Sequence, residues 1–210
     1  MVRVRVWLLG GAFVAVALAA CSSIDVEQYA TRKPSLDPKS FFYGKICADG
    51  IVKDWSGEQI RQFNARILAS WDEAGVGTLD EVFQFDDGRE TRTWTLTPTG
   101  DGTYRASAGD LVEPTTMRFA GNSIHMQYTL RYGEPDDTID LAMNDWMYQV
   151  ADGVVINQTQ MSKWGLAVGE ILLVMRRVDA DVACLPGENA ATQDVPQRPS
   201  PASGGLFAVR

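Results

Sequence analysis

The sequence predicts an all-β protein whose strands form an antiparallel up-and-down barrel of about 8–9 strands. Apolar and polar residues alternate along most of the chain, and Gly- or Asn-containing turns recur at strand spacing. No stretch has a convincing long helical period. Short turns join sequential strands into a meander, and closure into a barrel removes the exposed strand edges.

Nine segments carry the strand pattern, and the alternation is clearest around Phe63, Ile67 and Tyr128. The last segment contains an apolar run at 171–175, which suits either a strand buried on both faces or a short amphipathic helix packed on the barrel. A barrel of this size, of lipocalin type, holds one small ligand. The predicted segments are 41–53, 60–71, 77–85, 91–97, 103–119, 123–132, 138–150, 154–162 and 168–178.

The N-terminus reads as an export signal. Arg3 and Arg5 precede an apolar run at 6–18, which is too short to span a bilayer as a stable helix. The run ends in Leu18-Ala19-Ala20-Cys21, which resembles the lipobox of bacterial lipoproteins. That resemblance implies removal of residues 1–20 and acylation of Cys21. The alternative is a plain secreted protein with a chance cysteine at the cleavage point.

The resemblance to lipoproteins also implies an address. Ser22, rather than Asp, follows the expected lipidated cysteine, which implies the periplasmic face of the outer membrane of a Gram-negative bacterium. Several acyl chains on Cys21 would exceed what stable membrane anchoring requires. We therefore expect the membrane to be a partner through these chains, in the cell envelope.

The charge of the chain is strongly acidic. The formal net charge is −8, and removal of Arg3 and Arg5 makes the mature chain more negative by two. Nucleic-acid binding depends on Lys and Arg neutralising phosphates, so this balance argues against a nucleic-acid partner. It argues equally against electrostatic docking on anionic lipid.

Composition divides the mature chain into three parts. Residues 21–39 are polar with two prolines and read as a lipidated tether. Residues 40–184 form the barrel domain, long enough for one domain with a sizeable core. Residues 185–210 are rich in Pro, Gly, Ser, Ala and Gln without a period, and they read as a disordered tail.

Two further cysteines, Cys47 and Cys184, lie near the ends of the barrel domain. In an oxidising compartment they favour a disulfide, and two separate buried thiols are the alternative. No cluster of His and Cys has metal-ligand spacing, and we expect neither a metal nor a cofactor.

Residues for catalysis are sparse. His125 is the only histidine, lies on the polar side of a strand, and has no nucleophile motif nearby. Four carboxylates within or at the ends of strands could form an acid–base pair, although exposed or ion-paired side chains are the favoured explanation. We assign no catalytic residue. The four carboxylates are Asp80, Glu81, Asp145 and Glu170.

Aromatic, methionine and polar residues, most of them in the second half of the chain, form a candidate ligand site. Aromatic and Met side chains suit an apolar or flexible ligand, and an adjacent polar group would fix its head. A filled core built from the same residues is the alternative. The candidates are Trp94, Asp145, Trp146, Tyr148, Asn157, Met161, Lys163 and Trp164.

Three segments carry a family resemblance. Phe42-Tyr43-Gly44, Asn144-Asp145-Trp146-Met147-Tyr148 and Met161-Ser162-Lys163-Trp164-Gly165 occur in the order seen in a bacterial lipoprotein family, domain of unknown function 3833. The resemblance covers about residues 41–177. Asn144 departs from the family pattern, which often has two acids before the Trp. The resemblance implies an exported, lipid-anchored β-domain, and the family has no established activity.

Three functions fit these observations. The first is a non-catalytic envelope lipoprotein that binds or handles a lipid or other small apolar ligand. The second is a structural or assembly lipoprotein with a protein partner, whose identity the sequence does not give. The third is a lipid-modifying enzyme that uses carboxylates in the cavity. An interior cavity would favour the ligand-binding function. A solid core with an exposed apolar patch would favour the structural function. Two close carboxylates with raised pKa values would favour the enzyme.

Overall fold

The computed structural model describes residues 24–134 and 136–188, and within them ten antiparallel strands close into a barrel. This confirms the predicted all-β up-and-down architecture and gives one strand more than the upper estimate. The strands are β1 (Gly44–Asp54), β2 (Gln59–Trp71), β3 (Gly77–Phe85), β4 (Arg89–Pro98), β5 (Tyr104–Ala108), β6 (Thr115–Ala120), β7 (Ser123–Glu134), β8 (Asp137–Ala151), β9 (Val154–Lys163) and β10 (Leu166–Val178).

The additional strand comes from a break inside the predicted segment 103–119. Gly109 and Pro114 flank a loop that separates β5 from β6, since proline has no N–H to donate to a strand ladder. The loop is held in place because Arg131 N donates to Asp110 O at 2.8 Å and Leu111 forms an isolated bridge with Leu130. It lies over the end of the barrel at which β1 ends, here called the upper end.

Each strand pairs with its sequence neighbours, and β1 also pairs with β10 to close the barrel. The closing register joins Lys45 with Val178 and Asp54 with Gly169. Because both edges of the meander are paired in this way, the ten strands present no open edge.

Alternation of side chains places one face of each strand in the barrel interior. Ile46, Val52, Ile124 and Val155 are fully buried there. The run 171–175 lies within β10 and is not helical, and Leu172 on its outer face is 38% exposed. The sequence-based view of a strand buried on both faces is therefore wrong at Leu172.

The structure packs the described part of the predicted tether, residues 21–39, against the barrel. A short 3-10 helix (Val26–Tyr29) and helix α1 (Pro38–Phe41) begin at Asp25 and Asp37, whose carboxylates accept backbone N–H groups. Buried apolar side chains explain this packing, because leaving them in water would be costly. They are Val26, Leu36, Phe41 and Phe42.

Helix α1 and the residues after it close the lower end of the barrel, where β1 begins. The Trp71 indole donates to the Phe42 carbonyl at 2.5 Å, and the rings of Phe41 and Phe42 meet edge to face at 5.1 Å. This end is therefore sealed by apolar packing.

A disulfide between Cys47 and Cys184 joins β1 to the chain after β10, with the two Cα atoms 5.0 Å apart. The buried Glu188 carboxylate follows, accepting from Arg66 Nη1 at 2.8 Å and from the Cys184 backbone N–H at 2.7 Å. The predicted tail at 185–210 is thus bound to the barrel as far as Glu188. Cys21 and residues 189–210 lie outside the described residues.

No helix among the described residues is both long and apolar enough to cross a membrane.

Candidate functional site

A group of polar side chains lies inside the barrel, on faces that are otherwise apolar. Glu81 in β3 pairs in register with Arg92 in β4, and Asp145 in β8 pairs with Thr159 in β9. Glu81 shares its side of β3 with Leu79 and therefore points inward, because side chains alternate along a strand. Four strands thus direct charged or hydroxyl groups into one interior.

Asp145 is held by neutral donors. Its carboxylate accepts hydrogen bonds from Asn157 Nδ2, from Thr159 Oγ1 at 3.0 Å and from the Tyr128 hydroxyl at 3.5 Å. Burial raises the pKa of Asp145 more than the hydrogen bonds from Asn157 and Thr159 lower it. A buried carboxylate with a raised pKa binds a proton or a cation more readily than an exposed one does.

Glu81 is the second interior acid. Burial raises its pKa to about 7, and the negative charges of Asp110 and Asp145 raise it further, against the opposing charge of Arg92 and a hydrogen bond from Trp94. Glu81 and Asp145 both line the same interior cavity. Glu81 therefore changes its charge near neutral pH.

Arg92 brings a positive charge to the site, and Asp110 accepts its hydrogen bonds. Asp110 Oδ2 lies 2.9 Å from Arg92 Nε and 2.7 Å from Nη2. Burial lowers the pKa of Arg92, but the charges of Asp110, Tyr128 and Glu81 and the hydrogen bonds to Asp110 together outweigh this, so Arg92 stays protonated. Asp110 lies in the β5–β6 loop and is partly exposed. The pair thus links the interior to solvent at the upper end.

A cavity of about 80 Å³ adjoins these groups. An apolar cavity of about 150 Å³ holds benzene, and ligand pockets usually measure about 300–1,000 Å³, so this space is small. Its polar boundary is Glu81, Arg92, Tyr128, Asp145, Asn157 and Thr159, and its apolar boundary includes Phe63, Leu79, Phe83, Trp94, Met117, Met126 and Met147.

Methionine is the adaptable part of the interior. Each of the six methionines in the described part of the chain lies on an inward face. Met side chains are unbranched and fit irregular spaces, so they can rearrange around a guest at low cost. They are Met117, Met126, Met143, Met147, Met161 and Met175.

The upper end is closed by charged groups, unlike the lower end. Arg61 Cζ lies 3.6 Å above the centre of the Phe85 ring. The Arg61 guanidinium also donates to Asp87 and, at 3.0 Å, to Glu90. The Arg61 side chain is buried, whereas that of Asp87 is about half exposed. The charged groups of the upper end therefore extend from the interior to solvent.

The structure separates the eight ligand-site candidates into three groups. Trp94, Asp145 and Asn157 line the cavity, and Met161 is buried in the adjoining core. Trp146 and Tyr148 lie on the outer wall, and Lys163 and Trp164 form the β9–β10 turn, where Trp164 is 89% exposed. The sequence-based grouping of all eight around one cavity therefore requires correction for these last four residues.

Trp146 is buried on the outer wall because the N-terminal segment covers it. Its ring lies 5.7 Å from that of Tyr29 in the 3-10 helix and is stacked parallel to Tyr148 at 5.9 Å. Asp25 beside the same helix forms an ion pair with Arg118 at 3.0 Å. The low exposure of Trp146 thus reflects contact with the N-terminal segment and not with the barrel interior.

Sequence reasoning did not assign four residues of this group, and the favoured explanation of Asp145 as an exposed or ion-paired acid is wrong, because Asp145 is buried among neutral donors. The sequence did hold a signal for Glu81, which shares a strand face with Leu79 and Phe83, and for Arg92, which shares one with Trp94 and Leu96. Charged residues in register with apolar ones indicate an interior polar group. The four unassigned residues are Arg92, Asp110, Tyr128 and Thr159.

No group of three or more His, Cys, Asp and Glu side chains within residues 24–134 and 136–188 is arranged to hold a metal ion.

The fold and interior define the class as an up-and-down β-barrel with a polar group enclosed in an apolar, Met-rich interior. The chain belongs to the family described as protein of unknown function DUF3833, whose family model matches residues 15–177. A comparison with curated proteins gives no match. Among solved structures, the S-type phycobiliprotein lyase CPES from Guillardia theta is similar in fold, with a TM-score of 0.51 and 7% identity over 70% of this chain and 94% of that chain.

Proposed function

We propose that this protein is a non-catalytic lipoprotein of the cell envelope whose barrel binds or handles a lipid or another small ligand with an apolar body. The observation that carries the proposal is the interior cavity, which joins an apolar, Met-rich wall to a small set of converging polar groups. This combination is typical of small-molecule sites. The fold likeness to the phycobiliprotein lyase agrees with a ligand-holding barrel.

The small cavity volume determines how binding would occur. A ligand larger than a few atoms must displace interior side chains, and Met147 and Met126 are the flexible residues beside the cavity. The guest would enter at the upper end, where the charged groups of Arg61 and Arg92 extend from the interior to solvent. Binding is therefore coupled to local rearrangement of the interior.

A binding experiment tests this proposal. The mature chain with Cys21→Ser, exported through a cleavable non-lipoprotein signal, is titrated with a fluorescent apolar probe. We expect saturable binding that Ala48→Leu weakens, because Ala48 lines the cavity. Ala142→Leu, on the exposed face of β8, is the matched control and should leave binding unchanged. Absence of saturable binding by the parent chain would refute the proposal.

The anchor is a separate part of the proposal. We expect wild-type protein to take up labelled palmitate, to accumulate as a precursor with globomycin, and to fractionate with the outer membrane. Cys21→Ser should abolish the label. An unlabelled wild-type protein would mean a plain secreted protein instead.

A second candidate function is a lipid-modifying enzyme, favoured by two interior carboxylates that line one cavity and have raised pKa values. Glu81 would transfer the proton, since its pKa lies near neutral. Incubation with a lipid extract, followed by mass spectrometry, tests this candidate. Products that form with wild type and not with Glu81→Gln would replace the binding proposal by an enzymatic one.

A further inference from the structure

The charges inside the barrel are unequal. The group around the cavity has three carboxylates, Glu81, Asp110 and Asp145, and one guanidinium, that of Arg92. The hydrogen bonds of Arg92 go to Asp110, and Asp145 is held by neutral donors. When Glu81 and Asp145 are both ionised, the interior therefore has an excess of negative charge that an incoming group can neutralise.

Aromatic rings stand beside these carboxylates. Trp94 and Tyr128 both line the cavity, and their rings meet edge to face with centroids 5.6 Å apart. The faces of aromatic rings attract cations, and the attraction strengthens when water is excluded. Carboxylates and rings around one cavity thus favour the same kind of guest.

We propose that the ligand carries an organic ammonium head group, held by Glu81 and Asp145 beside Trp94 and Tyr128, with its apolar body among the methionines. This inference rests on the proposed function that the barrel binds a small ligand. An ammonium head donates N–H hydrogen bonds to the two carboxylates, and its positive charge neutralises the excess negative charge of the interior. An anionic head, such as that of a fatty acid, would meet the same carboxylates with repulsion.

The proposal implies a dependence on pH. Burial raises the pKa of Glu81 to about 7 in the empty barrel, so an arriving cation displaces its proton. The other charged or titratable groups facing the cavity are Arg92 with its partner Asp110, Tyr128 and Asp145; burial also raises the pKa of Tyr128, which stays protonated. Affinity for an ammonium head should therefore increase as pH rises through about 7.

Three probes with the same chain and different heads test the ligand class. Hexylamine, hexanol and hexanoate are titrated calorimetrically into the mature chain with Cys21→Ser. We expect hexylamine to bind at least about tenfold more tightly than hexanol, a difference of about 1.4 kcal/mol. Hexanoate should bind most weakly of the three. Hexylamine affinity should rise between pH 6 and pH 8, whereas hexanol affinity should not.

Variants identify the residues. Glu81→Gln should reduce hexylamine binding to the level of hexanol and remove the pH dependence. Asp145→Asn should also weaken hexylamine binding. If that variant does not fold, the result for Glu81→Gln alone tests whether a carboxylate binds the ammonium head. Asp80→Asn is the matched control, because Asp80 adjoins Glu81 but lies on the outer face and accepts from Thr93 Oγ1 at 2.8 Å.

The outcomes separate the two proposals. Equal binding of hexylamine and hexanol, or tighter binding of hexanoate, would overturn the ammonium inference and leave the ligand-binding function intact. Binding of none of the three probes, together with no binding of the fluorescent probe, would overturn both.

Discussion

The indole of Trp146 lies almost parallel to the imidazole of His125 on the outside of the barrel, with ring centroids 4.0 Å apart. His125 Nε2 is also 2.8 Å from Asn144 Oδ1, and the ring of Tyr29 packs at a tilt against the indole, with centroids 5.7 Å apart. Asp145, between Asn144 and Trp146, points into the interior. One short segment of β8 therefore serves both sides of the barrel wall, holding the N-terminal segment outside and a carboxylate inside.

Trp146→Ala should loosen the N-terminal segment without affecting the cavity. We expect a loss of about 2–3 kcal/mol, below the range for a Trp in the enclosed core, because the indole lies on the outer wall and keeps some contact with solvent. Urea unfolding measures the loss, and limited proteolysis should show faster cleavage within residues 24–43. Trp164→Ala, which removes an exposed indole, is the control. Weakened probe binding by a folded Trp146→Ala would contradict this placement.

Glu81 should make the protein less stable as pH rises. An unfolded Glu releases its proton near its ordinary pKa of 4.5, whereas folded Glu81 keeps it until about 7. The folded state binds more protons between these values, so its stability falls across that window, by on the order of 3 kcal/mol. Glu81→Gln should match wild type at pH 4.5 and exceed it at pH 8 in urea unfolding. Parallel pH profiles for the two proteins would refute the assignment.

Glu188 should make the protein less stable as pH falls, which is opposite to the effect of Glu81. Although burial raises its pKa, the hydrogen bonds from Arg66 and from the Cys184 and Leu185 backbone N–H groups hold the pKa at about 2. The stability from this group is present above pH 4.5 and is lost as pH falls from 4.5 to about 2, by about 2 kcal/mol after solvent screening.

Thermal unfolding of Glu188→Gln checks the Glu188 prediction. The variant should be less stable than wild type at pH 7 and should approach it near pH 2. Glu113→Gln, an exposed acid in the β5–β6 loop, serves as the control. An equal deficit of Glu188→Gln at both pH values would mean that its carboxylate charge plays no part.

The disulfide between Cys47 and Cys184 should stabilise the barrel by restricting the unfolded chain. It spans 137 residues, so in the chain-entropy account it contributes on the order of 4 kcal/mol. The double variant Cys47→Ala/Cys184→Ala should unfold at lower urea concentration with a larger dependence on denaturant. Alkylation followed by mass spectrometry should label both thiols only after reduction; labelling of the folded, unreduced protein would contradict the pairing.

Alternation in the sequence predicts the strands well because most of them have one apolar face. It shows that Trp146 and Asp145 point to opposite sides of β8, but it does not show which side is inside. Hydrophobicity would place Trp146 inward, and this fails because a second segment, remote in sequence, buries the outer side as well. The strand pattern therefore predicts which residues share a face of a strand, but not which part of the protein packs against that face.

The interior charges illustrate the same limit. Glu81 follows the apolar register of β3 and could have been recognised as an interior acid from Leu79 and Phe83 alone. The partner of Arg92, in contrast, is Asp110, in a loop that the sequence pattern merged with the adjacent strands. Contacts that depend on loop position are set by tertiary packing, which periodicity does not report.

The pairing of β1 with β10 has a consequence for how the chain acquires its fold. The first strand to be synthesised pairs with the last, so both edges of the growing meander stay open until residue 178 has been added. Contacts between residues so distant in sequence make folding slow, since a long loop must close before they form. We therefore expect the newly synthesised chain to spend appreciable time as an open sheet, a form prone to edge-to-edge aggregation.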